Sequence, residues 1–254
     1  VTGPSAIWST ETGHGPLVAV VHGSMDRSAG MLRLSRRLDE HFRVLRYDRR
    51  GYGRSAPHPG PFGISQQVDD LEALLDDRRA LLFGHSYGGN VVLALADRRP
   101  DLVSAVVVFE TPLSWLDWWP GSTAGSTALA TQGDPSDAAE RFMRRLVGDE
   151  RWSKLPPSSR AARRAEGPAM VGELTDLRQR PPWTAERIQV PVLALHGEHG
   201  APHHRDAMHH LAEILPSCAV EMIDDARHFG PNTHADDVAA AITRLARTVH
   251  PDSD

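Results

Sequence analysis

The sequence predicts an α/β protein: a mostly parallel sheet with helices on both faces and a helical segment inserted late in the chain. Three observations carry that expectation. Short apolar runs alternate with longer amphipathic stretches, the alternation stops between Thr111 and Arg187, and a glycine-flanked serine sits where one apolar run gives way to a helix.

The elements follow in order. WSTETG (8–13) predicts one or two antiparallel edge strands. LVAVVHG (17–23), RVLRYD (43–48), ALLFGHS (80–86), SAVVVFE (104–110), VPVLALHG (190–197) and AVEMID (219–224) are near-continuous apolar runs, as suits strands covered on both faces. Between them, residues 31–41, 64–76, 90–98 and 205–215 repeat their apolar positions at the helical period, and 238–249 forms a closing helix. The final HPDSD is read as a frayed tail. The stretch without strands holds PSDAAERFMRRLVGDE and PPSSRAARRAEGPAMVGELTDL, both helical in pattern with Ser or Pro starts. A structureless loop of that length is implausible in a compact domain. Residues 1–111 and 188–254 are therefore expected to form a core domain, and 112–187 a helical cap inserted between strands 6 and 7. The insertion carries Trp115, Trp118, Trp119, Trp152 and Trp183 of the six tryptophans.

Composition narrows the function. With 40% hydrophobic and 24% charged residues the chain is ordinary for a soluble globular protein. A net charge of −5 argues against a nucleic-acid partner bound by phosphate neutralisation. The longest apolar run, VVLALA from Val91, is far shorter than the roughly 20 residues that span a bilayer, and no signal peptide is visible, so no membrane partner and a cytoplasmic location are expected. A lone Cys218 excludes an intrachain disulfide and the thiolate clusters of structural zinc. No glycine-rich phosphate loop follows the first strand, so no cofactor is expected. The oligomeric state is not legible.

GHSYGG (84–89) follows an apolar strand and opens an amphipathic helix, the setting that G-x-S-x-G requires. A serine on so sharp a turn needs small neighbours at Gly84 and Gly88, where strand and helix cross. Ser86 then projects from the carboxyl end of the sheet, with a helix N-terminus behind it to favour a developing oxyanion.

With GHSYGG, HGS (22–24), YDRRGYGRS (47–55) and DDARHF (224–229) in this order, the chain resembles the α/β-hydrolase superfamily over nearly its whole length. The resemblance implies the α/β-hydrolase fold and a Ser-His-acid triad. His228, between the last strand and the terminal helix, holds the family's position for the base, with His234 as runner-up. The acid departs from the common pattern. Members usually carry Asp in a G-x-x-D turn after the penultimate strand; here the turn is Gly197-Glu198-His199-Gly200, and Gly200 has no side chain. Some members place the acid at the end of the preceding strand, where this chain has Glu110. Glu110 is therefore the expected acid, ahead of Glu198 and of Asp224 and Asp225, which almost adjoin the base. Backbone N–H groups of Tyr87 and Ser24, with Met25 as fallback, are expected to form the oxyanion hole, and His22 to support that loop.

Other clusters have bland readings. Asp48, Arg49 and Arg50 are read as a structural brace. HHRDAMHH (203–210) lacks the HExxH arrangement and is read as a solvated helix, with no metal site expected. RAARR (160–164) is read as a solvated face. The tryptophans either form the cap's own core or line a substrate pocket, for which Met25, Trp115, Trp118 and Trp119 are the candidates. The resulting expectation is a serine hydrolase acting on an ester or thioester of an apolar or aromatic small molecule. Cleavage of a C–C or amide bond by the same triad, or a non-hydrolytic ligand-binding role for the fold, stands as the alternative.

Overall fold

The computed structural model of the protein describes residues 7–130 and 133–249; residues 1–6 and the closing 250–254 lie outside them. Seven strands form one sheet: β1 (Ser9–Thr12), β2 (Leu17–Val21), β3 (Arg43–Tyr47), β4 (Ala80–His85), β5 (Val103–Phe109), β6 (Val192–Gly197) and β7 (Cys218–Ile223). Their spatial order is β1-β3-β2-β4-β5-β6-β7. β1 pairs antiparallel with β3, and every other pairing is parallel. This is the α/β-hydrolase architecture that the motifs implied.

The two-residue period of the strands divides the core into two layers. In β2, Val18 and Val20 face α1 (Leu32–Leu38) and the closing helix, while Leu17, Ala19 and Val21 face α2 (Ile64–Leu75) and α3 (Tyr87–Arg98). Every residue of the central β4 and β5 is buried, which is why those runs showed no alternation of polar positions. The β4–β5 register shifts at Ala80/Leu81, so Ser104 is the extra residue, and Val103 and Ala105 fall in opposite layers.

Five helices lie between β5 and β6: α4 (Ala124–Leu129), α5 (Pro135–Val147), α6 (Asp149–Lys154), α7 (Pro157–Ala165) and α8 (Gly167–Leu177). The edge contributes one strand among the described residues, so this segment follows the fifth strand, not the sixth. Local chemistry starts the helices: Asp134 accepts the Ser136 N–H at 2.8 Å with Pro135 in the first turn, and Thr123 accepts that of Ser126 at 3.1 Å. In α5, Ala138 and Phe142, and Ala139 and Met143, are buried at i, i+4 spacing. The chain closes with α9 (Pro202–Ile214), α10 (Gly230–Thr233) and α11 (Ala235–Val249). α9 begins ahead of the expected Arg205 because Pro202, lacking an N–H, fits the first helical turn. α3 begins at Tyr87 rather than Asn90, directly after the serine.

Candidate active site

Ser86 links β4 to α3 with φ 52° and ψ −124°, a backbone conformation that costs about 1–3 kcal/mol and persists only where surroundings impose it. Its N–H donates to the Phe109 carbonyl at 2.8 Å, tying the turn to β5. A Cβ on Gly84 would lie 2.5 Å from the Gly89 Cα, and one on Gly88 would strike the carbonyls of Val21 and His22. The sequence reading did not single out Gly89. It is required by tertiary contact, since a Cβ there would collide with the Thr111 side chain.

His228 stands in the loop after β7, and its Nδ1 is 2.7 Å from Oε2 of the fully buried Glu110. Glu110 has φ 47°, and its N–H donates to the Leu195 carbonyl at 2.9 Å. Its second oxygen, Oε1, accepts the Gly197 N–H at 3.1 Å. A Cβ on Gly200 would collide with that same oxygen. The Glu110 carboxylate therefore occupies the space beside Gly200 into which a side chain of the common family turn would project. Glu198 is exposed and turns to the Asp225 N–H at 2.9 Å, Asp224 and Asp225 are also exposed, and His234 contacts the Thr233 hydroxyl.

Two histidines absent from the sequence-based candidates pack on His228. His85, the residue before Ser86, donates from Nε2 to the His228 carbonyl at 2.7 Å, a tautomer that the acceptor dictates. Burial, reinforced by the neighbouring His228, pushes its pKa down to about 3, so it is neutral and pins the histidine loop. A buried polar residue at the end of an apolar strand was the available signal. His204 stacks on His228 with ring centroids 4.6 Å apart. Burial holds it well below the ordinary histidine range, with the neighbouring His228 and His203 acting in the same direction. HHRDAMHH is thus not a solvated helix throughout: His203 and His204 face the site, and Ala207 and Met208 face the core. Glu110, His204 and His228 bring ligand-type atoms within 4.8 Å of one another, though Glu110 Oε2 and His228 Nδ1 already engage each other.

The loop after β2 is braced from below. His22 Nε2 accepts the Arg49 N–H at 2.9 Å, while the Arg49 guanidinium donates to the carbonyls of His22 (2.9 Å) and Gly23 (3.0 Å). Burial, then Arg49, holds His22 neutral. Arg49 itself is fully buried against Glu173 of α8 at 2.6 Å. Burial opposes the arginine's charge, and Glu173 more than restores it. Tyr52 donates to the same carboxylate at 2.6 Å. Asp48 accepts the N–H groups of Ser28 and Arg54, and Arg50 grips Asp70 through two bonds of 2.7 Å, so this trio braces the loops. Gly23 brings the backbone against the Ser86 turn: a Cβ there would lie 3.0 Å from the Ser86 Cβ. Ser24 follows it, and Tyr87 opens α3.

Two cavities, of about 430 and 330 Å³, meet at Ser86; Ser24, Phe142, Leu146 and His228 also line both. Met25, with φ 56°, lines the first and Trp119 the second. Trp115 and Trp118 line neither. Trp115 packs edge-on to the buried Trp183 at 5.5 Å, and Trp118 is 44% exposed beside His210, so these two serve packing and surface. RAARR is not uniformly solvated either: Arg163 reaches the Met25 carbonyl at 2.9 Å and pairs with the buried Glu166, which also holds Arg27.

The sequence model of the alpha/beta hydrolase fold matches residues 16–235. The chain belongs to the α/β-hydrolase family. Among its relatives, lipase LipV of Mycobacterium tuberculosis is 34% identical over 145 residues, 55% of this chain. The chain spans about half of that protein's length, 52%. The 2-(acetamidomethylene)succinate hydrolase of Mesorhizobium japonicum is 26% identical over 92% of this chain and 89% of its own. A solved thermophilic esterase from Thermogutta terrifontis superposes with a TM-score of 0.76 at 24% identity, covering 96% of this chain and 94% of that one, and shares the fold. No helix among the described residues is long and apolar enough to cross a membrane.

Proposed function

We propose that this α/β-hydrolase family member is a serine hydrolase of carboxylic esters or thioesters, working through an acyl-enzyme. The observation that carries the reading is the 2.7 Å contact between His228 Nδ1 and a buried Glu110 carboxylate, next to a serine on a strained elbow. A serine hydroxyl at neutral pH needs a base. Glu110 holds the imidazole with Nδ1 protonated, leaving the Nε2 lone pair for the Ser86 proton as Oγ attacks the carbonyl carbon. The backbone N–H groups of Ser24 and Tyr87 receive the tetrahedral oxyanion. Its collapse expels the alcohol or thiol, which takes the proton from imidazolium. Water, deprotonated by His228, then attacks the acyl-enzyme; the carboxylic acid leaves and Ser86 regains its proton. Segment 112–187 acts as a cap, since Phe142, Leu146 and Trp119 wall the space over the serine and favour an apolar or aromatic group.

A fluorophosphonate probe tests this directly. Labelling is expected at Ser86 in the parent and absent from Ser86→Ala, whose ester turnover falls on the order of 10⁵-fold. Turnover by Ser86→Ala at the parent rate would overturn the mechanism.

A further inference from the structure

The two cavities differ in how they treat charge. In the first, the arginines nearest the core are answered: Arg27 and Arg163 both pair with Glu166, and much of the remaining wall is Met31, Met143, Val147 and Phe229. Arg151 also lines it but is exposed. The second cavity is lined by Arg145, which is exposed, and by Arg178, at the end of α8, only partly exposed. Its Nη1 donates to the Leu174 carbonyl at 2.8 Å and its Nη2 to the Ser126 hydroxyl at 3.3 Å, both neutral acceptors. Among the described residues no carboxylate pairs with it, although Arg144 and Arg164 on neighbouring helices each engage two. Burial lowers the Arg178 pKa, but a guanidinium keeps its charge in a protein, and it has five N–H donors to place. Three further polar atoms of residues lining this cavity are sealed from solvent without a partner, the Ser24 and Ser114 hydroxyls and His204 Nδ1. A cavity wall that carries a half-buried cation with no carboxylate beside it suits a ligand that brings one.

We infer that the second cavity holds a carboxylate of the substrate, with Arg178 as its cationic partner. Resting on the serine-hydrolase reading, this makes the substrate an ester or thioester with two unlike arms. An apolar arm lies in the first cavity, an arm bearing a carboxylate lies in the second, and the scissile carbonyl sits at Ser86 between them. A carboxylate suits the site because the planar fork of arginine matches it through two parallel bonds.

The test compares charged and neutral esters on the full chain. Mono-4-nitrophenyl glutarate against 4-nitrophenyl butyrate places the charge on the acyl arm; 3-(butyryloxy)benzoate against phenyl butyrate places it on the leaving arm. The parent is expected to favour the anionic member of one pair by about 10- to 100-fold in kcat/KM, mainly through KM. Arg178→Gln should bring that ratio close to one, and Arg178→Lys should restore part of it. A parent with no anionic preference in either pair, or a glutamine variant that keeps the ratio, overturns the inference. Should Arg178→Gln not fold, the parent alone decides. Glutarate and benzoate are then compared as competitive inhibitors with glutaramide and benzamide, and equal inhibition within both pairs overturns the inference. Failure of the underlying reading looks different: no ester is hydrolysed and the fluorophosphonate leaves Ser86 unlabelled.

Discussion

The carboxyl edge of the sheet and the segment 112–187 above it contribute to the same cavities by different physics. At the sheet edge, position is imposed by backbone. Ser86, Glu110 and Met25 all have positive φ, and each stands directly after a strand or in the loop beyond one. The segment above is held to the sheet side by side-chain charge: Glu173 receives Arg49, and Glu166 receives Arg27. Of the groups proposed to react, Ser86 and Glu110 sit at rigid strand ends, while the walls proposed to choose a substrate hang from ion pairs and helix packing.

The contrast breaks most visibly at Glu110. Glu110→Gln keeps the volume but loses the carboxylate that stabilises imidazolium, and the analogous change in a serine protease costs about 10⁴ in kcat. A loss of that order is expected here, with the fold retained by circular dichroism. Glu198→Gln, at the exposed turn, should be nearly silent; a large loss there with a small one at Glu110 would move the acid back to the common turn.

The next largest effect belongs to the tie between the two regions. Arg49 and Glu173 are both fully buried, so Glu173→Gln strands an uncompensated charge and should cost about 3–5 kcal/mol in urea unfolding. Because Arg49 also holds the carbonyls of His22 and Gly23 beside Ser24, kcat is expected to fall along with stability. A rise in KM with kcat unchanged would show that the ion pair serves the cavity wall instead of the loop after β2.

The smallest effect concerns pH. His85 has its folded pKa depressed from 6.5 to about 3, so the unfolded chain binds more protons between those values and stability falls as pH drops below about 6.5. Between pH 7 and 5.5 this one histidine should remove about 1 kcal/mol, and His22 and His204 act in the same direction. His85→Gln retains an N–H donor without the titration. Its urea-unfolding stability should therefore decline less over that interval, and an undiminished decline would count against a neutral, buried His85.

Where the sequence was legible, a short segment contained the whole physical constraint. The buried strands show as apolar runs because two faces of each are covered, and GHSYGG carries its glycines because strand and helix cross within that one turn. Gly200 was legible as a missing side chain at the turn's usual acid position, which leaves Glu110 as the expected acid. What the sequence could not carry is whatever two distant segments decide together. The Glu110 carboxylate lies beside Gly200, ninety positions away; His85 holds the His228 carbonyl across the ends of two strands; and HHRDAMHH turns His203 and His204 to the site only because α9 packs against β6 and β7. The tryptophans show the same limit. Composition placed five of them in one segment, but which reach a cavity depends on how its helices pack, and Trp119 does while Trp115 and Trp118 do not. Local geometry is written in neighbouring residues. Contacts between segments far apart in the chain exist only once the sheet brings those segments together, so the seat of the Glu110 carboxylate against His228 and Gly197, the second cavity and its arginine were decided by the tertiary structure.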